Sequence, residues 1–461
     1  MRVVLEAITR TLCARLLRSL TFCACALGAS LALAKPAEQI SVEVTADGGR
    51  DMARQALQMG NPDLAVRIAR QVLAAYPEDI GSLVLLTTGL AQLGHGAEGA
   101  IYGRQAFGLA KTPAEHFQAA YVTAAALSAA DQPYTAKFWL RRANNYSATT
   151  EDTALLAKAF QKLDARTPVK LTLSIGGGPS DNVNGGSLHD SFDFFGILIP
   201  ISQALPGTTL STVATLSYRL VSTPTLGVSV YAVGAQRNVW LSPQAYELQP
   251  GARNSEFRYN GLDLGSYVGW AVSDKTVLNM DLQVGKTWQG GILQSDHERV
   301  TFGISQTLIP TRIVNLAVTA EKTHYPSTPH ANSLRLAADS SLALTLARST
   351  LRYNLGVAQV DAEAAGVAYR ATLVGVNWQP NQDFHGVTFD LFGRSETRHY
   401  WKTPGFAPDV LNEAGVTAEF TKLAVFGFSP TLTLSAARSK SPVVVRDTSS
   451  VGITVGFGST F

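Results

Sequence analysis

The chain has 461 residues, with 38 Lys and Arg against 35 Asp and Glu, and 46% of its residues are hydrophobic while 16% are charged. This near-neutral balance, without a basic block, argues against nucleic acid as a partner. Beyond the N-terminal segment no stretch approaches roughly eighteen apolar residues, so the sequence predicts no transmembrane helix.

Residues 1–34 have the layout of a cleaved secretory signal peptide. Four arginines precede an uncharged run over 19–34 that closes with small residues at Ala32-Leu33-Ala34. A single membrane anchor is the alternative, but the run is short for a span of about 20 residues. The segment also holds all three cysteines: Cys13, Cys23 and Cys25. The mature chain is therefore predicted to be exported and to contain no cysteine.

Residues 49–166, after a predicted linker over 35–48, are predicted to form helices in pairs. Gly60 and Gly94 each separate two amphipathic segments and lie 34 positions apart, and the next break is at Asp131. Small residues recur in the second helix of each pair: Ala65, Gly99 and Ala136. A helix pair repeating every ~34 residues is typical of tetratricopeptide repeats, which stack into a solenoid with a concave peptide-binding face. An ordinary helical bundle is the alternative.

From residue 168 to residue 461 the period of the apolar residues changes to two. Leu278, Met280 and Leu282, for example, alternate with Asn279 and Asp281. Fourteen strands are predicted, at 169–177, 208–220, 225–238, 256–270, 275–288, 297–308, 312–325, 332–345, 349–360, 366–378, 386–399, 412–426, 430–439 and 450–461. Most of them reach the ~9–11 residues that a tilted membrane strand needs.

The connections between these strands differ in length on the two sides. Those after even strands are short, whereas those after odd strands tend to be long and polar, as in outer-membrane barrels with periplasmic turns and outer loops. The predicted fold class is therefore α plus transmembrane β: periplasmic tetratricopeptide-like repeats followed by a 14-stranded antiparallel outer-membrane β-barrel. A soluble sandwich is the alternative. Residues 191–202 are apolar enough to form another strand, and we expect them in the barrel mouth or on its rim.

The last predicted strand carries apolar side chains on one face. These are Val451, Ile453, Val455, Phe457 and Phe461, and they alternate with glycine and threonine. We expect this strand to close the barrel against the first strand. Phe457 and Phe461 would then form the terminal signal that the barrel assembly machinery reads.

Charged residues at the alternate strand positions predicted to face the lumen are the main candidates for functional side chains in the barrel. They are Arg299, Arg335, Arg352, Arg370, Asp390, Arg394, Glu396, Arg398 and Glu419. They could pair across strands as structural ladders, because buried charges must pair, or they could line a conduit. The histidines are scattered, and no Ser, His and Asp set converges, so the sequence predicts neither a metal site nor an enzyme.

Three segments resemble the surface lipoprotein assembly modifier family of Gram-negative bacteria. The first is Asp181-Asn182-Val183-Asn184 after strand one, the second is "FFGILIPISQALPGTTLS", and the third is "GFSPTLTLSAARSKS" together with Phe461. The family combines a signal peptide, a periplasmic repeat domain and a fourteen-stranded barrel in the outer membrane. Its resemblance covers nearly the whole mature chain.

That resemblance implies an outer-membrane translocator that delivers specific client proteins to the cell surface. The implied clients are surface lipoproteins or secreted haem-binding proteins. The other implied partners are the barrel assembly machinery, periplasmic chaperones and outer-membrane lipid; we expect a monomer, without nucleotide or other cofactor. The alternative is an exopolysaccharide export porin with a periplasmic repeat domain, which would favour a lumen rich in acidic and aromatic side chains.

Overall fold

The structure is a computed structural model that describes residues 45–195, 197–403, 405, 407–423 and 428–460. The predicted signal peptide over 1–34, residues 35–44 of the predicted linker, and Phe461 lie outside the described residues. Within the described ranges, no helix is both long enough and apolar enough to span a membrane.

Seven helices fill the N-terminal part of the described chain. They are α1 Ala46–Gln58, α2 Pro62–Ala75, α3 Ile80–Gln92, α4 Gly96–Leu109, α5 Pro113–Ala129, α6 Pro133–Asn144 and α7 Thr150–Arg166. The first begins inside the predicted linker, since an ion pair between Asp47 and Arg50 closes its first turn. The helical spacing of the apolar residues predicts only the first six of these helices, and α7 is an additional one. It begins with a capping box in which Thr149 and Asp152 bond to each other's backbone N–H.

The three predicted breaks between paired helices share one backbone conformation. Gly60, Gly94 and Asp131 all have positive φ, at 74°, 83° and 56°. The aspartate thus adopts the left-handed conformation that glycine provides at the two earlier corners. In the second helices, Ala65 and Ala136 are fully buried. The helices therefore repeat at the predicted interval.

A closed antiparallel barrel follows the helices, as predicted. The strands are β1 Val169–Ser180, β2 Ser191–Phe194, β3 Ile197–Pro200, β4 Gly207–Ser222, β5 Leu226–Leu241, β6 Tyr259–Ser273, β7 Thr276–Gln289, β8 Ile292–Ile309, β9 Arg312–His324, β10 Ser333–Thr345, β11 Ser349–Ala362, β12 Tyr369–Pro380, β13 Val387–His399, β14 Asp409–Phe420, β15 Ser429–Lys440 and β16 Thr448–Thr460. All except β2 and β3 form the fourteen-stranded wall, in which β1 closes the ring by pairing with both β4 and β16.

The outer face of the barrel is apolar on every side. Directly paired residues share a face, so the strand registers define this surface around the ring. Its side chains are exposed although they are large and hydrophobic: Leu216, Leu264, Val284, Phe302, Val318, Leu336, Leu355, Val374 and Val455 each expose between 51% and 57% of their surface. An exposed apolar band of this extent is what a lipid bilayer, not water, stabilises.

The two rims of the barrel differ as the sequence predicts, with one exception. The turn rim contains short hairpins such as 223–225, 274–275 and 310–311, and the first barrel strand starts there. The loop rim contains longer connections such as 181–206 and 242–258. The exception is the predicted loop between β7 and β8, where both strands continue to a tight turn at Gly290 and Gly291 on the loop rim.

The first connection on the loop rim contains β2 and β3, which pair only with each other. The apolar segment around 191–202 is therefore a separate hairpin and not a wall strand, so the wall keeps an even number of strands. Its tip is unusually apolar, with Phe195 95% exposed and Leu198 69% exposed. A parallel bridge between Ser187 and Gln203 joins the two ends of this connection to each other.

Candidate functional site

The inner face of the barrel is polar where the outer face is apolar. Hydroxyl and amide side chains on adjacent strands bond to each other: Thr301 with Thr319 at 3.1 Å, Thr417 with Thr433 at 2.9 Å, Asn315 with Ser341 at 3.1 Å and Asn354 with Asn377 at 3.2 Å. A polar wall of this kind is compatible with a hydrated passage. The lumen and its mouth on the loop rim therefore form the candidate site.

Some inner side chains reach across an intervening strand. Tyr231 on β5 donates its hydroxyl to both carboxylate oxygens of Asp281 on β7, at 2.8 and 2.9 Å. The tyrosine ring lies over Gly265 of β6, where a Cβ would overlap the ring. Likewise the imidazole of His297 on β8 lies 3.1 Å from Asp263 on β6.

The second of these bridges also depends on a glycine. A Cβ on Gly285 of β7 would overlap both Asp263 and His297. The lumen glycines therefore leave room for polar bridges between strands that are not neighbours. The sequence analysis missed these bridges. The signal that could have indicated them is the glycines at lumen-facing strand positions, which lie beside polar residues.

Several of the predicted lumen charges form ion pairs between or along strands. Arg299 donates to Glu321 at 2.9 Å and to Gln283 at 3.2 Å. The other pairs are Arg394 with Glu413 at 2.5 Å and Arg398 with Glu396 at 2.6 Å. Three arginines are thus neutralised by carboxylates on the inner face.

Four other predicted lumen residues form no ion pair in the part of the chain that the structure describes. They are Arg335, Arg352, Asp390 and Glu419. Their strand positions share the inner face with the paired residues: Arg335 is opposite Glu321, and Glu419 is opposite Thr388. Unpaired charges of both signs therefore face the passage as well as the neutralised pairs.

Arg370 was wrongly predicted to face the lumen. It pairs in register with Gln359 and donates to its amide oxygen at 3.1 Å, on the same face as exposed Val357 and Leu355. This is the outer face. The sequence left the parity of β12 ambiguous because Leu373 and Val374 are both apolar although they lie on opposite faces.

The motif that follows β1 joins the first loop to the last strand. Val451 donates its N–H to the carboxylate of Asp181 at 2.8 Å. The amide of Asn182 donates to the carbonyl oxygens of Ser449, at 2.8 Å, and Gly186, at 2.9 Å. These two motif residues therefore bond to backbone on both sides of the β1 and β16 junction.

The other two residues of the motif fold the first loop onto itself. Val183 and Leu205 are joined by a backbone hydrogen bond of 2.9 Å, and the side chain of Asn184 accepts from the Leu205 N–H at 2.9 Å. Val183 and Leu205 pack with buried residues from β5 and the following connection, which contains α8 Pro243–Leu248: Val239, Leu241, Ala245 and Ala252. Val239 and Leu241 have lumen parity, so the first loop lies over the inner edge of the mouth.

A group of contacts that we call the clasp attaches the same loop to the connection between β15 and β16. Ser187 donates to the carbonyl of Val444 at 2.7 Å, and the imidazole of His189 lies 3.0 Å from the carboxylate of Asp447. Asp447 also pairs with Arg438 at 2.6 Å. The guanidinium of Arg438, followed by the imidazole of His189, lowers the pKa of Asp447 below its ordinary value. Sequence analysis did not identify the clasp.

Of the two residues of the predicted terminal signal, the structure describes only Phe457. Phe457 lies on the apolar outer face, 46% exposed, and pairs in register with Ile175 of β1. Phe461 lies outside the described residues, so its role stays a prediction. Among the residues that the structure describes, no group of three or more His, Cys, Asp or Glu side chains could hold a metal ion.

Comparisons with known proteins give remote similarities. No protein-family model and no curated protein matches the chain. Among solved structures, OccAB3 of Acinetobacter baumannii is 8% identical, covers 64% of this chain and 98% of its own, and has a TM-score of 0.36. CdiB of Acinetobacter baumannii is 11% identical over 64% of this chain and 60% of its own, with a TM-score of 0.36.

A third similarity concerns the helices. The first TPR domain of human RPAP3 is 19% identical, covers 26% of this chain and 94% of its own, and has a TM-score of 0.24.

Proposed function

We propose that this protein is an outer-membrane translocator that delivers exported client proteins to the cell surface. The main observation in support is that a closed fourteen-stranded barrel has an apolar outer face and a polar inner face. A bilayer stabilises that arrangement, whereas a soluble sandwich would bury the apolar side. The turn rim, where the helices join β1, would face the periplasm, and the loop rim would face outward.

The helical repeats support transport of a protein chain. Stacked helix pairs present extended surfaces that bind peptides, and tethering such a surface to the barrel raises the local concentration of the client. The inner face carries basic and acidic residues in similar measure, for example Arg299 with Glu321 and Arg394 with Glu413. This mixture suits a heterogeneous polypeptide better than an acidic and aromatic lumen would. We therefore favour surface lipoproteins or secreted haem-binding proteins as clients over a polysaccharide.

The test compares surface display of a candidate client in three strains: wild type, a strain lacking the protein, and a strain lacking only residues 35–166. The candidate is a small exported protein encoded beside this one. Antibody labelling of intact cells is expected to be lost in the full deletion and weakened in the second strain, while total client stays constant. Heat-modifiable migration of the barrel checks that the truncated protein still inserts.

Two results would contradict the proposal. The first is equal labelling in all three strains. The second is unchanged client display together with the loss of a surface polysaccharide in the full deletion, which would favour the export porin.

A further inference from the structure

A groove lies between α5 and α7 in the helical repeats. It encloses about 340 Å³, and its base includes Leu140 of α6, which is 2% exposed. Alanines leave the space open, with Ala124 and Ala125 on one wall and Ala159 on the other. A volume of this size falls within the range of ligand sites.

The position of α7 explains why the groove is open. Each earlier odd-numbered helix is followed by a second helix of its pair, but α7 ends at Arg166 and is followed directly by β1. Leu155, on the α7 side of the groove, is 41% exposed. The repeats therefore end in an apolar surface that the described helices leave uncovered.

The charge of the groove is positive. Lys158 and Lys162 line it, and no acidic residue does. Neither lysine forms an ion pair in the described structure. Two nearby acids are already engaged: Asp164 pairs with Lys137 at 2.6 Å, and Asp131 pairs with Arg166 at 2.7 Å. Both lysines are thus available to an incoming anion.

The spacing of the lysines matches an extended peptide. Residues four apart on a helix are separated by about 6 Å along its axis. Alternate side chains of an extended chain are about 6.6–6.8 Å apart on one face. Carboxylates at positions i and i+2 of an extended segment could therefore face Lys158 and Lys162 together, with an apolar side chain beside Leu155.

We propose that this groove binds an extended client segment in which one apolar residue is followed by two acidic residues at alternate positions. The inference rests on the proposed function, because it names the chemistry by which the repeats recognise a client. It assigns apolar contact to Leu155 and charge recognition to the two lysines.

The experiment measures binding of labelled peptides to the full chain in detergent micelles by fluorescence anisotropy. One peptide carries Leu-Ser-Glu-Ser-Glu, a second replaces both Glu by Lys, and a third replaces Leu by Ser. The first is expected to bind at least about tenfold more tightly than the others, because it alone supplies both kinds of contact. Raising the salt concentration should weaken it.

Variants of the groove make the test specific. Lys158→Glu with Lys162→Glu should reverse the preference toward the lysine peptide. Ala125→Trp should weaken both peptides by filling the groove. Arg104→Glu with Lys111→Glu changes the same charge at exposed positions outside the groove and should leave binding unchanged.

Unchanged peptide preference in the double lysine variant would overturn the inference. Binding that occurs only after removal of residues 35–44 would also overturn it, because the chain's own segment would then occupy the groove. Client display in the same variant separates the two proposals. If this variant no longer binds the acidic peptide but still displays the client fully, the groove is not the client site, and the proposed translocation is unaffected.

Discussion

Asp447 is one of the residues that join the first and last loops of the mouth. Its carboxylate contacts His189 of the first loop and Arg438 of β15, and it is only 15% exposed. Its lowered pKa means that the contribution to stability is complete above the ordinary carboxyl value of about 3.9 and is lost as the pH falls through the folded value. The clasp should therefore hold at neutral pH.

Replacing this carboxylate should release the first loop. We expect Asp447→Asn to speed proteinase K cleavage within 190–200 roughly tenfold at neutral pH, since a hydrogen bond to a charged group contributes about 1.5–3 kcal/mol. The measurement is limited proteolysis of the detergent-solubilised barrel followed by mass spectrometry. Asp190→Asn is the matched control, because the only hydrogen bond that the Asp190 carboxylate accepts within the described ranges comes from the hydroxyl of Ser191 beside it. Equal cleavage of the two variants would show that the clasp does not hold the loop.

Among the elements, α7 depends on its first turn. Thr149 accepts the N–H of Asp152 at 3.0 Å, and the carboxylate of Asp152 accepts the N–H groups of Ala148 and Thr149. The hydrogen bond from the Ala148 backbone is the main cause that lowers the pKa of Asp152. Its contribution to the helix is therefore present above the ordinary carboxyl pKa and is lost as the pH falls through the folded value.

Removing the cap should destabilise the repeats and leave the barrel unaffected. We expect Thr149→Ala to lower the free energy of unfolding of the helices by about 1 kcal/mol. The measurement is urea unfolding of the full chain followed by the helical circular dichroism signal, with the barrel monitored by heat-modifiable migration. Thr150→Ala changes the same residue type one position later and should lower the free energy of unfolding by less. A larger loss in the control would mean that the cap is not the cause.

The barrel strands also show which features of the fold can be predicted from sequence patterns. The period of two located all fourteen wall strands, because one face of each is lined by apolar side chains over a membrane-length run. End points were less accurate, as for the strand predicted at 412–426, which is Asp409–Phe420. Contacts between distant parts of the chain could not be predicted. The Tyr231 to Asp281 bridge requires the register of three strands, and the clasp requires both loops to be positioned.

At the scale of the whole molecule, the two rims fix the expected topology. We expect an epitope tag inserted after Gly251 on the loop rim to be cleaved by protease added to intact cells, and a tag after Asp274 on the turn rim to be protected. Gly251 is exposed and open around its Cα, whereas Ala245 in the same connection is fully buried and would not accept an insertion. Cleavage only at Asp274 would reverse the orientation of the barrel and place the repeats outside.

The closure of the ring by β1 and β16 has a consequence for the time course of folding. Every other wall strand pairs with its neighbours along the chain, so hairpins can form locally, but Ile175 meets Phe457 only after all the intervening strands are in place. Contacts between such distant positions are slow to form. Until then both strands are open edges that can pair with other chains. The unfinished sheet is thus the stage at which this protein is most prone to aggregate, and sealing one seam ends that risk.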